Sequence, residues 1–453
     1  MTLLADIREA PPVEPGQNLA TVSNRVSDIA LRMPTPRWWW AGFGASFLLF
    51  IILCIAAGNL FVSGIGIWGV NIPVAWGFAL ANYVWWIGVA SGGTIISALF
   101  FITRSEWRTA VNRVAETMTL FAAAAAGLMP IFHLGRQGLF YWLFPYPNVM
   151  GIWPQFRSPL LWDFFALLCY IIASILFWYI GLLPDWAALR DRAPTRWQQV
   201  FYGTLACGWT GAARHWKRFR VVYGIMCAFM APMVMSVHSI VGLDFAGGLT
   251  PGWHSTQFPP YFVFGAVYSG FATVLFLVLP IRRLYRLEAF ITEYHINALA
   301  KMMLATGLML TYSYALEAFM PYYSGNPYDV KQIRNDFFDL YALQYWGKIL
   351  FNVVIPQLLW FPRLRLNEPL LFLVSVGIIF GMWLERYVIV VSSLYQDFMP
   401  SAWYFFAGSL WDWLTLAGSI GLFLTGIFIF LRLVPIIAMF EMRELVHREE
   451  GAG

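Results

Sequence analysis

Apolar residues run in long unbroken blocks along this chain and do not alternate with polar ones. A helix that spans a bilayer needs about 20 mostly apolar residues. Ten stretches meet that requirement, at roughly 39–62, 80–102, 116–133, 160–181, 220–240, 261–281, 297–318, 341–360, 369–391 and 412–434. None shows the period of two that marks a strand, and all are too long for a barrel strand. The pattern predicts an all-α integral membrane protein with ten transmembrane helices.

Composition agrees. Hydrophobic residues make up 60% of the 453 positions and charged residues only 12%, against about 25% charge in soluble domains. A chain so apolar cannot cover its own surface with polar groups, which excludes soluble enzymes, nucleic-acid binders and secreted disulfide scaffolds. The 23 tryptophans suit membrane interfaces and aromatic-lined contacts. Lysines and arginines between the ten stretches divide 22 to 4 between the two sides, with Arg220 and Arg432 counted in the loops they border. By the positive-inside rule both termini face the cytoplasm of a bacterial inner membrane. The net charge of +5 is then a loop bias. The basic, tryptophan-containing loop 182–219 reads as an interfacial segment facing anionic lipid. Residues 1–37 mix acids, arginines and prolines and read as a soluble tail, not a signal peptide. Cys54, Cys169, Cys207 and Cys227 form no CxxC or CxxCH, so neither iron–sulfur ligation nor a zinc site nor covalent haem has support. The cysteines in apolar runs are expected to be small buried side chains.

The chain also repeats itself. Tyr83–Arg104 aligns without gaps on Tyr261–Arg282 at an offset of 178, placing Ser91-Gly92 on Ser269-Gly270. Gly127-Leu128-Met129 then falls on Gly307-Leu308-Met309 at an offset of 180. Four predicted helices separate the copies, so both keep one orientation and the repeat is parallel. The resulting division is a tail (1–37), the first helix and its outer loop (38–79), a first four-helix bundle (80–240), an outer loop and second four-helix bundle (241–391), and the tenth helix with a C-terminal tail (392–453).

Ionisable side chains inside lipid cost about 2.5–3.5 kcal/mol each at the bilayer centre on insertion scales, and those that persist face a bundle interior. The candidates are His133, Asp163, His238, Asp244, Glu317, Lys348, Glu385, Arg386 and Asp412, all in the outer half. The inner half offers boundary groups such as Glu116, His295 and Lys301. Glu317 and Lys348 stand at similar depth and are expected to pair. Glu385 and Arg386 are neighbours that project in different directions, so they are not expected to neutralise each other. Asp412 reads as a helix-end residue. His133, Asp163, His238 and Asp244 gather two imidazoles and two carboxylates in the first bundle. That set suits quinol oxidation, which needs an acceptor hydrogen-bonded to each ring hydroxyl. His133 and His238 could supply at most one axial pair, so a bound haem is not expected.

These residues lie in strings that resemble the NrfD/polysulfide-reductase family of membrane subunits: WGFALANYVWWIGVASGGTIIS (76–97), PIFHLGR (130–136) and SVHSIVGLDFA (236–246), followed by Pro259-Pro260-Tyr261. Within it the likeness is to the larger, ActC-type quinol-site subunit of bacterial alternative complex III. The resemblance implies a subunit without a redox cofactor of its own, with menaquinol or ubiquinol as substrate. It implies an iron–sulfur/molybdopterin-like partner at the outer face, a paralogous membrane protein of the same fold, c-type cytochrome subunits, and a terminal oxidase or soluble cytochrome c downstream. By motif position His133 and Asp163 would be the catalytic pair, with Asp244 and then His238 as quinol-binding neighbours. In the second bundle Ser313 replaces His133, so Tyr312, Tyr314, Glu317, Lys348, Glu385 and Arg386 would form a proton pathway or structural network. A proton- or ion-translocating module, a quinone-reducing anchor of a molybdenum-type reductase and a purely structural anchor are the alternatives.

Overall fold

A computed structural model describes residues 10–72, 74, 76–144, 156–399, 401 and 403–452. Within them every regular element is helical. The helices are α1 (Leu19–Leu31), α2 (Arg37–Ser63), α3 (Phe78–Ile102), α4 (Asn112–Phe132), α5 (Pro159–Arg192), α6 (Arg196–Leu205), α7 (Ala213–Ala246) and α8 (Phe258–Leu284). There follow α9 (Glu293–Ser324), α10 (Pro327–Phe338), α11 (Ala342–Ile349), α12 (Pro362–Arg365), α13 (Glu368–Tyr387), α14 (Ser393–Tyr395), α15 (Leu410–Leu433) and α16 (Met439–Ala452).

By length and composition, eight helical stretches could cross a membrane: α2, α3, α4, α5, α7, α8, α13 continued to Tyr395, and α15. The chain is a multi-pass membrane protein. The predicted stretch 297–318 lies inside α9, whose polar ends lengthen it to 32 residues. The stretch 341–360 is not one α-helix. It passes from α11 through a π turn (Leu350–Val354) into a 3-10 turn (Ile355–Trp360) that carries Pro356. Proline has no N–H to continue an α-helical ladder.

Helix ends gather on two faces. On the face that holds both termini, Arg25 donates to the carbonyls of Tyr285 and Arg286, Arg432 to those of Ile29 and Met33, and Tyr202 to that of Leu433. On the opposite face Trp253 donates to the Ile389 carbonyl and Tyr341 to that of Tyr404. Within the segment read as a soluble tail, residues 19–31 form a packed helix. Asn18 caps α1 in a capping box, and α1 packs on α16, α15 and α5 with Val22 and Val26 buried. The cysteine expectation also fails in part: Cys227 is buried, but Cys54, Cys169 and Cys207 are exposed on outer surfaces.

Helix α3 touches α4 and α7, and α5 touches α4 and α7. Helix α8 touches α9 and α13, and α13 touches α11. Between these two sets α3 crosses α8 at glycines. A Cβ on Gly92 would stand 2.4 Å from the Gly270 Cα, and one on Gly270 would stand 2.4 Å from the Gly92 Cα. Only a missing side chain permits that approach. Both helices end alike, on arginines in the left-handed region at Arg104 (φ 56°) and Arg286 (φ 53°). In each case the next N–H turns back to the helix, Ser105 to the Phe100 carbonyl and Leu287 to the Arg282 carbonyl, both at 2.9 Å.

Candidate functional site

Three elements of the first half bring acidic and phenolic groups together at the face opposite the termini. Pro159 occupies the first turn of α5, where its missing N–H is no loss, and sets Asp163 one turn in. Tyr83 sits in the second turn of α3 and Asp244 in the last turn of α7. The Tyr83 hydroxyl donates to Asp163 Oδ2 at 2.5 Å. The Asp244 carboxyl lies near this Tyr83–Asp163 pair. Asp163 is 5% exposed, and among the described residues neither carboxylate has an ion-pair partner. Asp163 Oδ1 and Asp244 Oδ1 are buried acceptors with no donor. A buried acceptor left unmet costs about 1–3 kcal/mol. Two such oxygens are able to accept from hydroxyl donors.

The histidines do not join this pair. His133 caps α4 at the same end, just beyond Pro130, and its buried Nδ1 has no partner. Among the described residues no hydrogen bond or ion pair links it to Asp163. His238 is fully buried, with both ring nitrogens unpartnered. It lies between the halves: its Nε2 and Ser269 Oγ both come within 4 Å of where a Cβ on Gly88 would stand, and Arg386 is the charge that acts on it.

Deeper in the first half, Tyr170 and Thr94 hydroxyls meet at 2.7 Å and Thr119 donates to the Ala90 carbonyl. At the terminal face a buried ion network follows. Arg113 bridges Glu116 at 2.8 Å and Asp185 at 2.9 Å, and Tyr223 donates to Glu116. Arg108 binds both carboxylate oxygens of Glu441, to which Asn112 also donates. Glu116 is therefore no boundary group. Helix α4 starts at Asn112, before the apolar window, because two carboxylates neutralise Arg113 and allow it inside.

The second half holds a different polar core. Lys348, fully buried, pairs with Glu317 at 2.9 Å as expected and stacks over the rings of Tyr314 and Tyr345. Arg386 Nη1 lies 2.6 Å from Glu385 Oε1, so these neighbours do neutralise each other, against the sequence reading. Long side chains curl back where the helix directions of two adjacent residues diverge. Gly265 leaves the room, since a Cβ there would stand 2.7 Å from Arg386 Nη2. Tyr314 donates to Glu385 and accepts from Asn352, which the π turn of 350–354 carries. Tyr312 points away, 66% exposed, and is not in the network. Asp412 closes a capping box with Ser409, the helix-end role expected of it. Tyr83 escaped selection from sequence as a site residue, although it is the first residue of the repeat and pairs there with Tyr261.

Residues 67–396 match the family described as polysulphide reductase, NrfD. The chain is also similar to a putative membrane subunit of a dimethyl sulfoxide reductase from Halobacterium salinarum, 25% identical over 342 residues that cover 72% of this chain and 73% of the relative. With nearly three-quarters of its length matched across the helices that carry Tyr83, Asp163, Asp244 and Glu385, the chain belongs to the NrfD family of oxidoreductase membrane subunits.

Proposed function

We propose that the chain binds quinol at Tyr83, Asp163 and Asp244 and passes its electrons to an iron–sulfur partner docked on that face, as in alternative complex III. The observation that carries this reading is the pair of buried carboxyl oxygens without a donor, Asp163 Oδ1 and Asp244 Oδ1. Oxidation of a quinol to a quinone releases two protons and two electrons. Asp163 accepts a ring hydroxyl's proton while Tyr83 holds the carboxyl in place, and Asp244 takes up the proton load beside it. His133, with its unpartnered Nδ1 at the same end, serves as a second acceptor. Electrons leave to the partner, whose iron–sulfur centres receive them.

The same reading has the chain crossing the bacterial inner membrane ten times. α9 and the broken α11 segment supply the two crossings beyond the eight apolar spans. Two four-helix bundles related by the repeat are supported by the matching contacts of α3 and α8 and by their like C-terminal caps. The lysine and arginine bias supports cytoplasmic termini, which puts the carboxyl pair at the outer face.

A second reading takes its support from the relative's name. A dimethyl sulfoxide reductase consumes electrons, so a membrane subunit serving a molybdenum-type reductase would also draw them from quinol. The two readings differ in the acceptor. A photoreactive quinone analogue added to the native complex tests the site. Labelling is expected in 76–97 or 159–170 and is expected to fall with Asp163→Asn. Labelling confined to α9–α13 sinks the assignment.

A further inference from the structure

On the terminal face, α3, α7 and α16 enclose a cleft of about 1520 Å³ that plays no part in the proposed redox site. Its floor is aromatic, with Phe101 set edge-on to Tyr223, and Phe219 against Phe440. Its rim is basic: Arg104, Lys217, Arg220 and Arg443 all line it. The acids of the cleft are largely spent on other partners. Glu441 is held by Arg108 and Glu444 by Arg448, which leaves Glu106 as the one acid without an ion pair among the described lining residues. Four cations without carboxylate partners thus surround a space with one free acid. The N-terminus of α7, which opens into the cleft at Ala213, has no side-chain cap. Uncapped N–H groups there add to the attraction for an anion.

The cleft continues into an apolar stripe. Val221 lines its edge, and Val221, Ile225 and Phe229 follow at four-residue spacing along α7, exposed at 56%, 62% and 51%. Eight residues of helix rise about 12 Å, close to the half-thickness of a hydrocarbon core about 30 Å across. A soluble anion would need the cations but not the stripe. A zwitterionic lipid would need the stripe but not the cations.

We propose that this cleft is a binding site for an anionic phospholipid of the adjacent leaflet. Its phosphodiester sits among Arg104, Lys217 and Arg220, and an acyl chain lies along Val221, Ile225 and Phe229. The site needs the chain to be a membrane protein and is independent of the quinol assignment. It also ties α16 to the bundle, since Arg443 contributes to the rim.

The test is native mass spectrometry of the delipidated complex in mild detergent. The probes are phosphatidylglycerol, phosphatidylcholine with the same acyl chains, and inorganic phosphate. Phosphatidylglycerol should be retained in clear preference to the other two. Each basic residue near a lipid surface is worth about a fivefold change in binding, so Arg104→Gln, Lys217→Gln and Arg220→Gln together should lower retention about 100-fold. These side chains are exposed and make no ion pair among the described residues, so the variant should fold. Val221→Asp, which spoils the stripe and spares the cations, should also lower lipid retention. Equal retention of the two lipids, binding of phosphate as tight as that of phosphatidylglycerol, or unchanged retention in the triple variant overturns the proposal. So does cross-linking of position 221 to a partner protein.

Discussion

Tyr83 and Tyr261 occupy the same place in two copies of one helix, yet their surroundings have diverged. Tyr83 hydrogen-bonds a carboxyl pair that no cation among the described residues compensates. Tyr261 stands beside Tyr314 in a core where Glu317 has Lys348 and Glu385 has Arg386 as cation. A buried carboxylate with a cation beside it has its charge met, whereas Asp163 and Asp244 have no ion pair among the described residues. The two tyrosines align in the sequence; what differs is whether the carboxylates near them have cations. The open copy is the better place for a proton-bearing ligand.

The sharpest way to break this comparison is to neutralise one carboxylate in each half. Asp163→Asn should lower steady-state quinol turnover of the assembled complex by about 10²–10⁴-fold, the usual worth of a positioned proton acceptor. Glu385→Gln, in complex of equal purity and folding, should not approach that loss. An equal loss in both would erase the distinction between the halves.

Next in size is the closed half's dependence on pairing. Lys348→Met leaves Glu317 without its cation and should destabilise the chain by about 3–5 kcal/mol, the range for a broken buried pair. Adding Glu317→Gln should recover part of it, as read by thermal unfolding in detergent. Turnover per folded molecule should hold. If stability is kept and vectorial proton release is lost, Lys348 belongs to a proton path.

The frame itself is tested at its crossing point. Gly92→Ala puts a methyl group against Gly270, and overpacking of this kind costs about 1–3 kcal/mol. Gly270→Ala should cost a similar amount, because the close approach is mutual. A large difference between the two would mean that the crossing is not symmetric.

The smallest effect expected is in pH dependence, at Asp336 beside the closed core. Burial pushes its carboxyl up to about 7, against about 3.9 for a free aspartate. Between those values the folded chain holds a proton that the unfolded chain has released, so stability falls as pH rises from about 4 to 7. Asp336→Asn should flatten that slope in thermal unfolding measured across the range. An unchanged slope would remove Asp336 from the account.

Much of the architecture could be read from hydrophobic block length alone, because lipid forces helices to declare themselves by long apolar runs. The paired glycines and Tyr83–Tyr261 showed as a repeat for the same reason. What escaped were the charges that structure neutralises. Arg113 looked like a loop residue because its partners, Glu116 and Asp185, come from two different helices. The Glu385–Arg386 contact depends on side-chain curl that residue spacing does not encode. The gathering of Asp163 with Asp244 was foreseen through their common depth. Depth says nothing about which side of a helix a residue faces, and among the described residues no hydrogen bond or ion pair joins either histidine to that pair.

The bond between Arg108 and Glu441 joins residues 333 positions apart. At about 5–20 residues per second of synthesis, some tens of seconds separate the two as they leave the ribosome. Throughout that interval the carboxylate that binds Arg108 through both oxygens is missing. The final closure of the earliest-made bundle therefore waits on one of the latest-made helices. A chain cut short before Glu441 would leave Arg108 without this partner, a mark by which membrane proteases could tell it from the finished protein.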